Sequence, residues 1–249
     1  MSIAPYVICI PARYQSTRLP GKPLCDIAGK PLIQRVYEQA CQSHAESVVV
    51  ATDDQRIADV CESFSAEVVM TSADHPSGTD RLAEVAAAKG WDDAQIVVNL
   101  QGDEPFMPAQ LLDQVAQSLA DADECAMATL CKPLANSADI NNPNCVKVVL
   151  GVSQRALYFS RAAVGFDRDQ QTESGAYHHL GLYAYRVVYL KKFAASLPTP
   201  LEQKERLEQL RALEMGESIY VDITTQSTGI GIDTAADLEQ ARGYFTNAD

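Results

Sequence analysis

Long apolar runs and positive charge are both scarce in this sequence of 249 residues. No stretch reaches the roughly 18 consecutive apolar residues of a membrane-spanning helix, so we expect that the chain does not span a membrane. The chain has 20 Lys and Arg residues against 33 Asp and Glu residues, and its formal net charge is −13. This balance argues against nucleic-acid binding, which needs a surplus of Lys and Arg. Any anion site must therefore be a local cluster of basic residues.

Paired cysteine motifs are also missing. The seven cysteines are scattered, and none forms a Cys-x-x-Cys motif, so a structural zinc site is not indicated. The apolar stretch 1–11 has no basic residue and no small-residue cleavage site, and we interpret it as a first strand, not a signal peptide. Free thiols without a signal peptide favour a cytoplasmic location.

Short apolar runs alternate with helical patterns in the first half of the chain. Continuous apolar runs predict strands buried on both faces, and the longer amphipathic stretches between them predict crossover helices. We therefore predict an α/β fold with a doubly wound, mostly parallel sheet. The predicted strands are Tyr6–Ile10, Ser47–Ala51, Glu67–Met70, Ile96–Leu100 and Cys125–Leu130, and the predicted helices are Leu32–Cys41, Gln55–Phe64, Thr79–Lys89 and Pro108–Ala120.

The second half of the chain is less regular. We find neither an internal repeat nor a Gly-, Pro- or Ser-rich linker, and therefore predict a single domain, 1–249. Within it we expect a core of residues 1–130 and 219–249 and a smaller, less regular lobe, 131–218. The predicted strands here are Val146–Leu150, Leu157–Ser160, Gly181–Arg186 and Ile219–Ile223, and the predicted helices are Gln203–Met215 and Ala235–Gly243.

The loop after the first predicted strand concentrates positive charge. It has no acidic residue between positions 11 and 22, and it carries Arg13, Ser16, Thr17, Arg18 and Lys22. Ligands of doubly wound sheets bind beyond the carboxyl ends of the strands, where this loop should lie. Cations, hydroxyls and backbone N–H groups together suit a triphosphate. A solvated basic surface loop is the plainer alternative.

Two common nucleotide motifs are absent. A P-loop requires G-x-x-x-x-G-K-[ST], but Gly29-Lys30 is followed by Pro31, and Leu24 stands where the first glycine should be. The fingerprint G-x-G-x-x-G does not follow the first strand, which argues against an NAD-dependent dehydrogenase.

Two aspartates far apart in sequence are candidate magnesium ligands. Asp103 follows the fourth predicted strand, and Asp233 precedes the last predicted helix. Mg²⁺ takes few protein carboxylates and keeps waters and phosphate oxygens, so two such residues at one sheet edge would suit it. Separately, Asp103 suits a turn and Asp233 suits a helix N-cap.

Six segments together resemble the CMP-KDO synthetases, the 3-deoxy-manno-octulosonate cytidylyltransferases of Gram-negative lipopolysaccharide synthesis. The basic loop alone would indicate only a sugar nucleotidyltransferase, and sialic-acid cytidylyltransferases fit the later segments less well. The resemblance extends from about Tyr6 to about Arg242. The segments are Pro11–Leu24, His75–Leu82, Asn99–Pro105, Tyr158–Arg161, His179–Tyr185 and Leu201–Leu213.

The resemblance implies an enzyme that transfers CMP from CTP to a KDO-type sugar acid and releases pyrophosphate, with Mg²⁺ as cofactor. It also implies a cytoplasmic homodimer in which residues 131–218 bind the sugar and supply much of the dimer contact. The implied catalytic residues are Arg13, Lys22 and Asp103, and the implied metal ligands are Asp103 and Asp233. The implied nucleotide-binding residues are Ala12, Arg13, Ser16, Thr17, Lys22, Ser77, Gly78, Arg81 and Gln101, and the implied sugar-binding residues are Arg161, His179, Tyr183, Glu208, Gln209 and Arg211.

Three segments depart from the family pattern. Val164-Gly165-Phe166 stands where Ile-Pro-Trp is usual, His178 replaces an arginine, and 227–234 differs before Asp233. Losing a cation would suit a sugar with its own positive charge, so 8-amino-KDO is the alternative preferred substrate. Neutral drift is the plainer explanation for such loop changes. A non-catalytic nucleotide-binding protein is the alternative from another class.

Overall fold

The computed structural model describes residues 3–15, 18–134, 137–165 and 176–246. Nine strands form one sheet, and two very short strands form a separate hairpin. The strands are β1 (Val7–Ala12), β2 (Asp26–Ile27), β3 (Lys30–Pro31), β4 (Ser47–Thr52), β5 (Glu67–Met70), β6 (Ile96–Asn99), β7 (Met127–Pro133), β8 (Lys147–Leu150), β9 (Ala156–Ser160), β10 (Ala176–Arg186) and β11 (Ile219–Ile223). The helices are α1 (Leu32–Ala40), α2 (Gln55–Ser63), α3 (Gly78–Lys89), α4 (Ala109–Ala120), α5 (Ser137–Asn141), α6 (Val187–Ala194), α7 (Pro200–Glu205), α8 (Gln209–Glu214) and α9 (Ala235–Thr246).

The main sheet has the order β11-β7-β10-β6-β1-β4-β5. Every neighbouring pair along this path is parallel except the two pairs that β10 makes with β6 and β7. Strands β8 and β9 extend from β10 as an antiparallel pair. The predicted doubly wound, mostly parallel sheet is therefore confirmed, with one antiparallel strand inserted in its centre.

Both faces of the sheet are covered, which explains the continuous apolar runs. Alternate residues of a strand point to opposite faces. In β1, Ile8 and Ile10 lie in the apolar cluster that includes helices α1 and α4, whereas Val7 and Cys9 lie in the cluster that includes α3 and α6. A strand buried on both sides needs apolar residues at every position, and this is the pattern in the sequence.

The carboxyl ends of the parallel strands bring two loops into contact. Strands β1 and β6 pair in register, with Cys9 opposite Asn99. Beyond this pair, a Cβ atom at Gly102 would lie 2.8 Å from the carbonyl oxygen of Pro11. Such a distance is too short for any residue with a side chain, so glycine is needed where the β6 loop passes the basic loop. The packing places Asp103 beside that loop.

One predicted helix is wrong. The segment 203–215 forms two short helices, α7 and α8, because Arg206 between them adopts φ 55° and interrupts the helical backbone. Helix α7 also begins before the predicted start, where the Glu202 carboxylate accepts a hydrogen bond from the backbone N–H of Thr199 at 3.0 Å. The amphipathic pattern runs through both helices, so periodicity alone did not reveal the break.

The division into a core and a smaller lobe stays a prediction. Helix α6 was not predicted from the sequence. Helix α6 follows β10 directly, and its β-branched start at Val187 resembles a continuing strand. In the described parts of the chain, no helix combines the length and the apolar character that crossing a bilayer requires.

Candidate active site

A backbone hydrogen bond closes the basic loop at its base. The N–H of Gly21 donates to the carbonyl oxygen of Tyr14 at 3.0 Å, and Gly21 takes φ 68°, a left-handed conformation that favours glycine. The Tyr14 ring packs on Gly21, where an added Cβ would lie 3.2 Å from the tyrosine oxygen. The guanidinium of Arg56 covers this ring at 3.4 Å from its centroid. These contacts fix the backbone of the loop just before Lys22.

Lys22 lies between the two predicted metal ligands. Its ammonium nitrogen is 2.6 Å from Asp103 Oδ2 and 3.2 Å from Asp233 Oδ1. Arg18 also contacts the Asp233 carboxylate, at 3.0 Å. The backbone N–H of Ile232 donates to the Asp103 carbonyl oxygen at 2.9 Å, and this bond holds the two loops together. Three residues that are distant in sequence thus meet at one point.

The local charges act on the pKa values of this cluster. Burial lowers the pKa of Lys22, but the Asp103 and Asp233 carboxylates outweigh burial and raise it, so the ammonium stays charged. Glu104 responds in the opposite way: burial, followed by the negative charges of Asp103 and Asp233, raises its pKa to about 7. Its carboxylate packs against Gly231, where a Cβ would lie 2.9 Å from Oε1. Sequence reasoning missed Glu104, although it adjoins Asp103.

Arg13 connects the basic loop with the loop before α3. Its guanidinium donates to the His75 carbonyl oxygen at 2.8 Å. Ser77 caps the N-terminus of helix α3, and its hydroxyl accepts from the N–H of Asp80 at 3.3 Å. A cavity of about 390 Å³ lies along these loops, and Ala12, Arg13, Arg18, Lys22, Gly78, Gln101, Asp103 and Asp233 are among the residues that line it.

Not every predicted nucleotide-binding residue lines this cavity. Arg81 is fully buried: its guanidinium contacts the Thr71 hydroxyl and lies 3.3 Å from Asp53 Oδ1. Burial lowers the pKa of Arg81, with Asp53 opposing the shift. Ser16 and Thr17 lie outside the described residues.

A second cavity, of about 400 Å³, continues from the first. The two share Arg18, Gly78, Gln101, Asp103 and Asp233. Among the predicted sugar-binding residues, Tyr183, Glu208 and Gln209 line the second cavity. Glu208 is exposed in the open cavity and accepts from the Thr79 hydroxyl at 2.8 Å. Many protein atoms nevertheless surround its carboxylate, and this burial raises its pKa.

The other three predicted sugar-binding residues do not line this second cavity. The Arg161 guanidinium donates to the carbonyl oxygens of Glu205 at 2.7 Å and Pro143 at 3.0 Å. His179 is buried beside Thr129, with Nε2 at 3.0 Å from the hydroxyl, and burial lowers its pKa to about 3. Arg211 is buried in an ion pair with Glu202, as described below. Their assignment to the sugar stays a prediction.

Two polar atoms, on residues that line the second cavity, have no hydrogen-bond partner within the described ranges. They are Oδ1 of Asn99 and Nε2 of Gln209, both buried. Buried polar groups are nearly always hydrogen-bonded, so these two atoms are candidate hydrogen-bonding groups for a ligand or a water molecule in the cavity. Asn99 stands opposite Tyr183 across the pair of β6 and β10. The signal in the sequence is a lone amide within the apolar strand Ile96–Asn99.

Comparison with known proteins identifies the family. The cytidylyltransferase family model matches residues 7–219. The 3-deoxy-manno-octulosonate cytidylyltransferase of Thioalkalivibrio sulfidiphilus is 52% identical over 94% of this chain and 96% of that protein. The chain belongs to the CMP-KDO synthetase family. The protein of the same name from Hahella chejuensis is 49% identical over 98% of both chains. The resemblance and the prediction of a nucleotidyltransferase are thus confirmed.

Solved structures of related proteins show the same fold. A CMP:2-keto-3-deoxy-manno-octonic acid synthetase complexed with CTP superposes with a TM-score of 0.91, at 42% identity, over 99% of this chain and 100% of that one. A cytidylyltransferase from Leptospira borgpetersenii matches with a TM-score of 0.65, at 16% identity, over 98% and 87% of the two chains. At that identity the second match supports the fold alone.

Proposed function

We propose that this CMP-KDO synthetase family member transfers CMP from CTP to the anomeric 2-hydroxyl of a 3-deoxy-octulosonate for lipopolysaccharide biosynthesis. The sugar oxygen forms a bond to the α-phosphorus, the bond from that phosphorus to pyrophosphate breaks, and the hydroxyl proton is released. One observation carries the proposal: the Lys22, Asp103 and Asp233 cluster lies where the two cavities join. One cavity borders the basic loop, and the other borders polar side chains that include Asn99, Tyr183 and Gln209.

The residues of the first cavity suit the nucleotide. Arg13 and Lys22 supply positive charge toward a triphosphate, and Gly102 lets the loop after β6 pass close to the Pro11 backbone at the cavity wall. The second cavity suits a hydroxylated sugar, because Asn99, Tyr183 and Gln209 present hydrogen-bonding groups. These side chains contribute position and charge, and no covalent intermediate with the protein is needed.

The aspartate pair fits the proposed magnesium cofactor. The two carboxylates already converge on one cation, the Lys22 ammonium. Mg²⁺ is commonly bound by one or two carboxylates together with phosphate oxygens and water. Among the described residues, no cluster of three or more His, Cys, Asp or Glu side chains offers a fuller metal site. Asp103 and Asp233 would hold the ion, which supplies charge neutralisation at the phosphates.

Pyrophosphate release with CTP, Mg²⁺ and KDO tests the proposal. Asp103→Asn keeps the size of the side chain but removes its charge, so turnover should fall by several orders of magnitude while thermal unfolding stays near that of the wild type. Asp123→Asn is a matched control, because Asp123 is exposed on the surface. A folded Asp103→Asn enzyme with a near-normal rate would contradict the assigned role.

The choice between KDO and 8-amino-KDO stays a prediction. The relatives described above are named for the unsubstituted sugar acid and give no support for the amino sugar. Of the departing segments, Phe166 lies outside the described residues. His178 lies on β10, and its pKa is lowered by burial and then by the charge of Lys132. Comparing kcat/KM for the two sugars decides the matter, and strong preference for KDO would remove the alternative.

A cytoplasmic homodimer is the proposed physiological form. All seven cysteines are free thiols, which suits a reducing compartment. Val152 and Leu157, around the turn between β8 and β9, are exposed apolar side chains in the predicted dimerisation lobe. Covering such side chains is a common reason for association. Sedimentation equilibrium at several concentrations tests the dimer, and a monomer at micromolar concentration would contradict it.

A further inference from the structure

Arg206 occupies a backbone conformation that suits glycine. It ends helix α7 with φ 55° and ψ 48°, in the left-handed region. A residue with a Cβ atom there costs about 1 to 2 kcal/mol, and helices that end in this way usually carry glycine at this point. The backbone therefore does not explain the choice of arginine. The explanation has to come from the side chain.

The corner that carries Arg206 is held from two sides. The Arg161 guanidinium donates to the carbonyl oxygens of Glu205 at 2.7 Å and Arg206 at 3.4 Å. The N–H of Leu207 donates to the Glu202 carbonyl oxygen at 3.3 Å. These bonds fix the backbone that directs the Arg206 side chain, which is exposed and lines the second cavity.

The second cavity is short of available positive charge. Three carboxylates line it, on Asp103, Glu208 and Asp233, together with two cations, Arg18 and Arg206. Arg18 is paired with Asp233 at 3.0 Å. No hydrogen bond or ion pair of the Arg206 guanidinium is present within residues 3–15, 18–134, 137–165 and 176–246. Lys22 pairs with Asp103 and Asp233, so Glu208 is the carboxylate of this cavity without an ion pair in the described ranges. A sugar acid entering beside Glu208 would need a cation.

We infer that Arg206 binds the carboxylate of the sugar acid and is a specificity-determining residue for the acceptor. The inference rests on the proposed function. The triphosphate is the other anion of the reaction, but Arg206 does not line the first cavity, where Arg13 and Lys22 serve it. Guanidinium and carboxylate form paired, charge-assisted hydrogen bonds, so arginine suits this ligand better than lysine.

Three substitutions separate the charge from the backbone. Arg206→Met removes the charge, Arg206→Lys keeps it, and Arg206→Gly removes the side chain at a position where glycine relaxes the backbone. Lys204→Met is the matched control, because Lys204 is an exposed cation two residues away on α7 that does not line the second cavity. Thermal unfolding should be unchanged or raised in Arg206→Gly, so misfolding cannot account for its kinetics.

The expected result is a rise of roughly tenfold to a hundredfold in KM for KDO in Arg206→Met and Arg206→Gly, from the loss of a charge-assisted pair. KM for CTP should stay within about twofold, because Arg206 does not line the first cavity, which we propose for the nucleotide. Arg206→Lys should recover part of the loss. The carboxamide analogue of KDO should bind the wild type less tightly than KDO does, and Arg206→Met should lose this preference.

An unchanged KM for KDO in Arg206→Met, or a rise confined to KM for CTP, would overturn the inference. Calorimetric titration of KDO into the enzyme distinguishes this failure from failure of the proposed function. A wild type that binds KDO through Arg206 but releases no pyrophosphate would refute the proposed function and support the inference. A wild type that neither binds nor converts KDO would refute both.

Discussion

Arg211 gives the sharpest test of whether a family-derived site residue touches the sugar. Its guanidinium donates to the two carboxylate oxygens of Glu202 at 2.7 and 2.5 Å, and it stacks on the Phe193 ring at 3.8 Å from the centroid. Both members of the pair are buried. We therefore expect Arg211 to act mainly through stability, and only indirectly on the cavity.

The magnitude follows from burial. Removing one partner of a buried ion pair leaves the other charge uncompensated and costs about 3 to 5 kcal/mol. Arg211→Met should therefore lower the free energy of unfolding by about that amount, which for a chain of this size lowers Tm by roughly 6 to 20 °C. The double variant Glu202→Gln with Arg211→Met removes both charges and should recover more than half of the loss.

Urea unfolding followed by circular dichroism measures these changes. Lys192→Met, which removes an exposed ion pair with Glu217, is the control and should change the free energy of unfolding by less than about 1 kcal/mol. Suppose instead that Arg211→Met unfolds within about 1 kcal/mol of the wild type but has a raised KM for the sugar acid. That result would refute the structural role and restore the direct one.

Two further predictions concern the basic loop and the buried histidine. Tyr14→Leu removes the ring between Gly21 and Arg56, and the loss of a stacking energy of about 0.5 to 2 kcal/mol should raise KM for CTP by roughly two- to thirtyfold. Tyr14→Phe keeps the ring and should stay near the wild type. Equal effects of both variants would show that the ring does not stabilise the loop. Burial lowers the pKa of His179 from 6.5 to about 3, so the folded state favours the neutral ring, and its contribution to stability is present above pH 6.5 and lost as pH falls toward 3. His179→Gln should therefore lower the slope of unfolding free energy against pH in that window by up to about 1.4 kcal/mol per pH unit, and an unchanged slope would show that His179 does not titrate this way.

Much of the fold could be predicted because burial on both faces leaves a direct mark on the sequence. Strands such as Ser47–Thr52 and Ile96–Asn99 are apolar at nearly every position, and their order along the chain implies parallel pairing. The position of β10 between β6 and β7 could not be predicted, because strand order depends on long-range packing. The break at Arg206 was hidden because neither glycine nor proline marks it.

Some residues of the candidate site could be predicted from the sequence, and others could not. Lys22 could be found because basic residues cluster in its loop in an otherwise acidic chain. Asp103 and Asp233 could be found because each lies in a loop beside a predicted strand or helix, and Lys22 Nζ lies within 3.2 Å of both carboxylates. Asn99 and Arg206 were missed because a single amide or arginine has no distinctive pattern. Arg161 and Arg211 were assigned by resemblance, which gives residue identity but not the direction of a side chain.

The position of the Lys22 ammonium should couple the binding of the proposed metal ion to the binding of the nucleotide. Because it already pairs with Oδ2 of Asp103 and Oδ1 of Asp233, an incoming divalent ion would compete with it for these two carboxylates. Phosphate groups of a nucleotide offer the displaced ammonium new acceptors. Uptake of the proposed magnesium ion and of CTP should then be thermodynamically linked, each raising the affinity for the other by an equal factor.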